Sequence, residues 1–359
     1  MTDLQRDLIF VGHTGQVSGA EVVMLSLARL SLQRGNRVLI ASPEGPLVDR
    51  LPSGVQHLEL PSLCLGDGGR ALAAARLATR SLMAARTLNR AARAGALVVV
   101  NSLLALPAAR AAHVPGGVIW LVHDTVYRRD QRAVVVAARA RVRHAVAVSQ
   151  ASAAPLQRLG LRVLVAHNGV EWPVPATELL VRSPPVVGAM ALLTPWKGHA
   201  VLLEAVARLP GVRLELAGGT FPGDAAYEAS LRRRARQPDL LGRVAFLGHV
   251  DSMSTLRRWD VAVSSSTSPE AGPISVLEAM SLGVPVVGTD HGGTSEFLAD
   301  GAGLLVPPSN VAAMATAIHR ALHDDATRTR LASTSRQRVA ERHAAATTLP
   351  AMLDAINAA

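Results

Sequence analysis

The 359-residue chain is predicted to be an α/β protein made of two doubly wound, parallel-sheet halves. Three observations predict this. Short runs rich in Val, Ile and Leu alternate with longer helical stretches from one end to the other, the pattern of buried parallel strands joined by crossover helices. The alternation restarts after a proline-rich seam, "EWPVPATELLVRSPP", at 171–185. Finally, 49% of the residues are apolar but only 3% are aromatic, so a chain long enough for two domains must build both cores from Ala, Val and Leu.

In the first half the apolar runs place strands at 7–12, 37–41, 96–101, 117–122, 144–149 and 162–167, with helices at 20–34, 70–94, 103–112, 130–143 and 151–159. In the second half strands are predicted near 186–191, 212–217, 243–247, 261–264, 284–288 and 303–306. Beyond about residue 310 the pattern is helical throughout. The expected domains are 1–170 and 171–344, with a linker at about 171–185 and a last helix, about 345–359, packing back onto the first half. Ligands of doubly wound sheets sit outside the carboxyl ends of the strands, so a central cleft between two Rossmann-like halves is the expected site.

No apolar run approaches the roughly 18–20 residues of a membrane span. The opening "MTDLQRDLIFV" reaches its first strand without a signal-like run, so a cytoplasmic protein is expected. One cysteine, Cys64, excludes a disulfide within the chain and offers no metal cluster. The net charge of +10 suits nucleic acid, an anionic membrane or an acidic substrate, and equally the arginine and alanine enrichment of GC-rich coding. Nucleic acid is the least favoured partner, because the arginines lack interleaved aromatic residues.

Among 36 arginines there is one lysine, Lys197, in "LLTPWKGH". It follows the first strand of the second half and precedes a helix, where an ammonium can meet a phosphate. A lone lysine also suggests a pyridoxal Schiff base, but a strand-to-helix loop beside a glycine fits phosphate contact better. The richest segment is "SPEAGPISVLEAMSLGVPVVGTDHGGTSEFL", 268–298. Glu270 precedes a Gly-Pro turn and Glu278 lies in the helix behind it, so both carboxylates can face one ligand. The first amides of that helix lack intrahelical acceptors and suit an anion.

This block resembles the signature of retaining glycosyltransferase family 4, enzymes of the two-domain GT-B fold that move a sugar from a nucleoside diphosphate donor. The resemblance implies that Glu270 contacts the transferred sugar, Glu278 the ribose, and the backbone of Gly272, Pro273, Ile274 and Ser275 the sugar and phosphates. "HTGQVSGAE" resembles the family's N-terminal loop, with Gly19 and Glu21 at its glycine and glutamate positions. "HNGV", with Asn168 to Val170, falls at the family's domain seam. Gly218 and Gly219 in "LELAGGT", and Gly248, His249 and Val250 in "FLGHV", correspond to nucleotide-side turns. His123, beside Asp124 at a strand end, corresponds to a histidine near the donor sugar, and Lys197 to the lysine of a "G-R-L-x-P-x-K-G" segment.

The resemblance also implies an enzyme with no protein nucleophile. In the absence of a suitable Asp-x-Asp pair, no divalent metal is expected, and the only co-substrate is the nucleotide sugar. The acceptor is a small molecule, glycan or lipid-linked compound. Two departures stand out. Gly272 and Pro273 replace a common Phe-Gly, which reshapes the sugar pocket. Ala191 and Leu192 replace Gly-Arg, removing an arginine that shares the phosphate, for which Arg128 and Arg129 are the expected substitutes. Arg76, Arg80, Arg86, Arg90 and Arg93 share one arc of the 70–94 helix, opposite Leu77, Ala84 and Leu88. This face is either solvated or a peripheral membrane contact, and the loop "CLGDGGR" before it is an acceptor-contact candidate. The alternatives are an epimerase or phosphorylase on the same fold, and a degenerate nucleotide-sugar binder, which Leu192 argues for and intact Glu270, Glu278 and Lys197 argue against.

Overall fold

The computed structural model describes residues 7–64, 70–92, 95–221 and 223–358. The chain divides into two compact units. One runs up to Asn168 and resumes at Thr348, and the other spans Gly169–Thr347.

The first unit is built on a parallel sheet of β1 (Asp7–Val11), β2 (Arg37–Ser42), β3 (Gln56–Glu59), β4 (Leu97–Val100), β5 (Val118–Val122), β6 (Val142–Ala147) and β7 (Val163–Val165). Its order is β3-β2-β1-β4-β5-β6-β7. The crossover helices are α1 (Gly19–Gln33), α2 (Arg70–Ala91), α3 (Leu106–Ala111), α4 (Arg129–Ala138) and α5 (Gln150–Arg158). Strand order reverses between β1 and β4, which register Leu8 with Leu97 and Val11 with Val100. β5 is buried along its whole length, with Trp120 at 0% exposure, as expected of a strand covered on both faces.

The second unit repeats the plan with β8 (Val186–Met190), β9 (Arg213–Ala217), β10 (Val244–Gly248), β11 (Val261–Ser264), β12 (Val286–Thr289) and β13 (Leu304–Val306), in the order β10-β9-β8-β11-β12-β13. Its helices are α6 (His199–Ala207), α7 (Ala225–Ala235), α8 (Ser252–Leu256), α9 (Ile274–Leu282), α10 (Gly292–Leu298), α11 (Val311–His323) and α12 (Asp325–Arg338). Here the order reverses between β8 and β11. The buried indole of Trp259 fills the space over Gly188, where a Cβ would come within 2.0 Å of its ring. The proline-rich seam is pinned to this unit: Asp260 accepts from the guanidinium of Arg182 (2.9 Å) and from the Val186 amide (2.6 Å). α13 (Ala345–Asn357) closes the chain. His144 Nε2 lies 2.9 Å from the Ala355 carbonyl, and Arg34 pairs with Asp354 at 2.6 Å.

Two elements differ from the sequence expectation. β3 was not expected, because "QHLE" has no apolar run. It is an edge strand paired only with β2, so it need not be apolar on both faces. The helix expected at 130–143 ends at Ala138, and after one tight turn (Arg139–Arg141) β6 starts at Val142, held by pairing with Val118 of β5. The loop 65–69 of "CLGDGGR" and Arg93 lie outside the described residues. Arg76, Arg86 and Arg90 are exposed, and Arg80 is half-buried with a 3.4 Å contact to the Ser62 carbonyl.

Candidate active site

The carboxyl ends of β8 and β11, at the switch point of the second unit, bring Lys197 and Glu270 together. The Lys197 ammonium donates to Glu270 Oε2, and the two side chains are 15% and 8% exposed. The other carboxylate oxygen accepts from the Ser266 hydroxyl and, at 3.3 Å, from that of Ser264. Burial pushes the Glu270 carboxyl up, but the Lys197 charge and these hydrogen bonds outweigh it and hold the group below its ordinary value. Glu270 is thus an ionised carboxylate in a buried, hydroxyl-lined seat.

Local backbone geometry makes this seat. Lys197 ends a short Pro195–Lys197 turn, and Gly198 takes φ +72° to open α6. A Cβ at Gly198 would sit 1.9 Å from the Ser265 carbonyl oxygen, so the loop is compatible only with glycine. The Ser265 hydroxyl donates to the Lys197 carbonyl at 2.9 Å, and the Lys197 ammonium lies 4.2 Å from the centre of the Trp196 ring. From the other side, the Gly293 amide donates to the Glu270 carbonyl at 2.7 Å. His291 Nε2 lies 2.9 Å from the Ser266 carbonyl. Burial first, and Lys197 second, push the His199 imidazole down to about 4. A cavity of about 20 Å³, the size of one water site, is lined by Lys197, Glu270, His199, Ser264 and Ser275.

Behind Glu270, the Gly272-Pro273 turn starts α9, with Pro273 at its N-cap. The amides of Ile274 and Ser275 precede the first intrahelical acceptors, the arrangement that favours an anion. Glu278, one turn further, is partly exposed and accepts from the Ser252 hydroxyl at 3.0 Å. Burial, together with nearby Asp251 and against the Ser252 hydrogen bond, pushes its carboxyl up to about 7. The turns after β8, β9 and β10 interlock: the Gly218 amide donates to the Gly248 carbonyl (2.8 Å) and the Ala191 amide to the Ala217 carbonyl (2.9 Å). Gly218 has φ +142°, and a Cβ there would sit 2.1 Å from the Ala191 carbonyl oxygen. His249 covers Gly219, and Val250 is exposed. The residues from Gly248 through Ser252 therefore connect directly to Glu278.

Gly19, Glu21, His123 and Asp124 lie in the first unit. Gly19 occupies the first position of α1. Glu21 is 1% exposed, and its Oε2 accepts from the amide (3.0 Å) and hydroxyl (2.6 Å) of Ser18. His123 and Asp124 follow β5. His123 Nε2 is buried without a hydrogen-bond partner among the described residues, and burial pushes this imidazole down to about 4. Asp124 Oδ2 accepts from the Leu103 amide at 2.9 Å. Of the expected substitutes for the missing arginine, Arg128 engages the exposed Asp130 through Nε at 2.9 Å, and Arg129 is exposed at the start of α4. The half-buried Leu192 lies in the tight stretch packed on Gly218.

Ser252, Ser264, Ser266 and His291 were not singled out in sequence. Two of the serines, Ser264 and Ser266, had a signal: "SSSTSPE" places a hydroxyl run between an apolar strand and Glu270.

Residues 174–338 match the family model described as glycosyl transferases group 1, a span that includes Lys197, Glu270 and Glu278. Curated relatives include the lipopolysaccharide core biosynthesis glycosyltransferase LpsE of Rhizobium meliloti, 39% identical over 150 residues (41% of this chain, 42% of that protein). The phosphatidyl-myo-inositol mannosyltransferase of Mycolicibacterium smegmatis is 35% identical over 197 residues (51% and 49%). The chain thus matches less than half the length of these relatives. The likeness to solved structures runs nearly end to end. Anabaena HepE in complex with UDP and glucose aligns with TM-score 0.80 at 23% identity, covering 98% of this chain and 99% of that one. A sucrose-phosphate synthase from Thermosynechococcus elongatus aligns with TM-score 0.83 at 19% identity, covering 98% of each. The fold is GT-B, and its second unit carries the glycosyl transferases group 1 sequence pattern.

Proposed function

We propose that the chain transfers a glycosyl group from a nucleoside diphosphate sugar to a hydroxyl acceptor, with retention of anomeric configuration. The second unit takes the donor and the first the acceptor. The observation that carries this reading is the buried Lys197–Glu270 pair beside the start of α9, inside the segment that matches the family model. Lys197 retains two ammonium hydrogens beyond the one given to Glu270. These, with the first amides of α9, meet the negative charge that develops on the leaving diphosphate. In this reading protein groups supply that neutralisation and no divalent ion is required. Glu270, kept ionised, accepts from a hydroxyl of the transferred sugar. Glu278 holds the ribose. The solved relative that contains UDP and glucose supports a nucleotide-sugar donor.

A panel of nucleoside diphosphates and their sugars in thermal-shift and donor-hydrolysis assays tests this reading. A ligand that binds only the native state raises its melting temperature. Stabilisation by one diphosphate series, with turnover that survives EDTA, is the expected result. No shift with any of them would sink the reading.

Charge distribution favours one further partner. Residues 68–168 contain fifteen arginines and two acids, Asp124 and Asp130, a net +13 that leaves the rest of the chain at −3. The exposed side of α2 presents Arg76, Arg86 and Arg90 beside exposed Leu72, Leu82 and Met83. We propose that this face docks on anionic lipid, with these apolar side chains entering the interface. No helix among the described residues is long and apolar enough to cross a membrane.

A further inference from the structure

In the first unit the amino ends of β5 and β6 frame an open cavity of about 340 Å³, whose lining includes His113, Gly116, Gly117, Arg141 and Arg143. It lies at the opposite edge of the sheet from the carboxyl ends that Asn101 and His123 follow. Its size falls within the roughly 300–1,000 Å³ of small-molecule clefts, and no carboxylate lines it.

Backbone geometry builds this cavity. Val114 to Gly117 form a tight turn closed by the Gly117 amide on the Val114 carbonyl at 3.1 Å, and Gly116 and Gly117 take φ +77° and +79°. A Cβ at Gly117 would sit 2.7 Å from the Arg141 carbonyl oxygen, so the turn packs against the approach to β6 only as glycine. Over Gly116 the space is open, and its amide donates to no partner among the described residues. The His113 amide is anchored to Asn89 Oδ1 of α2 at 2.6 Å. β5 and β6 pair Val118 with Val142 and then Ile119 with His144, which leaves Arg143 as an extra residue bulged out of the ladder, a device that re-aims a side chain.

Neither guanidinium has a structural task. Arg141 and Arg143 are exposed and make no hydrogen bond or ion pair among the described residues. Cations are favoured at a helix carboxyl end, and α4 ends shortly before Arg141. The carbonyls there are already met, however, Ala137 by Arg110 Nε at 2.8 Å and Arg139 by the Val142 amide. Arg143 belongs to β6 and lies beyond that end.

We propose that this cavity binds a small molecule carrying a phosphate monoester, held between the guanidiniums of Arg141 and Arg143 with the Gly116 amide and the His113 ring as further donors. A phosphate monoester carries about −1.5 to −2 charges at pH 7, which two guanidiniums balance. Its oxygens also accept paired N–H bonds from the planar fork of arginine. A carboxylate, with a single charge, leaves one arginine uncompensated. Asn89, which holds the His113 amide, neighbours Arg90 of the α2 face proposed to dock on lipid, so the ester can belong to a soluble metabolite or to a lipid headgroup.

Calorimetric titration of the full chain with glycerol 3-phosphate, glucose 6-phosphate and dihexanoyl phosphatidic acid below its micelle concentration tests the site and separates the two sources. At least one ester should bind. Arg141→Gln and Arg143→Gln should each weaken that binding at least about tenfold, with melting temperatures near that of the wild type because both side chains are exposed. Gly116→Asp, a residue that tolerates positive φ, places a carboxylate in the open space and should abolish binding. Phosphatidic acid binding at least tenfold more tightly than glycerol 3-phosphate assigns the headgroup, and equal or weaker binding assigns a soluble ester. The proposal is overturned if no ester binds, if both arginine variants bind as the wild type does, or if acetate competes as effectively as the esters. None of these outcomes bears on the donor reading, whose test uses nucleoside diphosphates and residues of the second unit.

Discussion

The two switch points of this molecule share an architecture and differ in how their polar groups are satisfied. In the second unit Glu270 is buried but complete: Lys197 takes one oxygen, and Ser266 and Ser264 take the other. In the first unit Glu21 is just as buried, yet one of its oxygens has no hydrogen-bond partner among the described residues, and Asn101 and His13 repeat the pattern. Satisfied groups hold a charge ready and stabilise the fold. Unsatisfied groups cost stability and gain it back when a ligand arrives.

Replacing Lys197 by Ala is the most severe way to break this contrast. It strands a buried carboxylate, which costs about 3–5 kcal/mol. It also removes the cation proposed to meet the diphosphate, so kcat/KM should fall by about 10²–10³. A stable Lys197→Ala variant with near-normal turnover would contradict both statements. Gly198→Ala tests whether the loop, rather than the lysine alone, makes the site. With φ +72° and 1.9 Å to the Ser265 carbonyl, the added methyl forces the turn apart. The melt should drop by more than the ~1 kcal/mol of an ordinary glycine change, with diphosphate affinity lost in parallel.

Asn101→Leu sharpens the comparison from the other side. It removes an orphaned acceptor at the cost of a single hydrogen bond to Ala20. Its melting temperature should therefore stay within a degree or two of the wild type or rise, which calorimetry decides.

Glu278 supplies a pH arm. Its folded value, about 7, lies above the 4.5 of a free glutamate. The folded state therefore holds the extra proton, and this group's stabilising contribution fades as pH rises from about 4.5 to about 7 and is gone above that. Diphosphate binding should run the opposite way, tightening from pH 6 to pH 8 as the carboxylate proposed to hold the ribose ionises. Titration calorimetry of Glu278→Gln should show this trend flattened. The smallest effect concerns the basic face. Arg86→Ser with Arg90→Ser should weaken sedimentation with phosphatidylglycerol vesicles about 30-fold, at about 1 kcal/mol per arginine, without changing diphosphate affinity.

Much of this architecture could be read from pattern. Twelve of the thirteen strands among the described residues were signalled by apolar runs, because a strand covered on both faces must be apolar throughout. β3 escaped because an edge strand is under no such demand. At the site, Lys197, Glu270 and Glu278 stood out through composition and spacing. Asn101 ended an apolar run in full view, but nothing local marks a polar strand terminus as one that will be left without a partner.

The sequence by itself determined the period of each element, the turns where glycine is required, and the glutamates around the Gly-Pro turn, since these depend on neighbours a few residues away. Tertiary structure alone decided that Lys197 would close on a carboxylate 73 residues later and that Ser252 would meet Glu278. It also decided that Glu270 would ionise readily while Glu278 titrates near neutrality, and that Glu21 and Asn101 would be sealed from water with an atom unspent. Those outcomes depend on burial and on which strand lies beside which. Both are set by the packing of distant segments, and no local stretch of sequence encodes them.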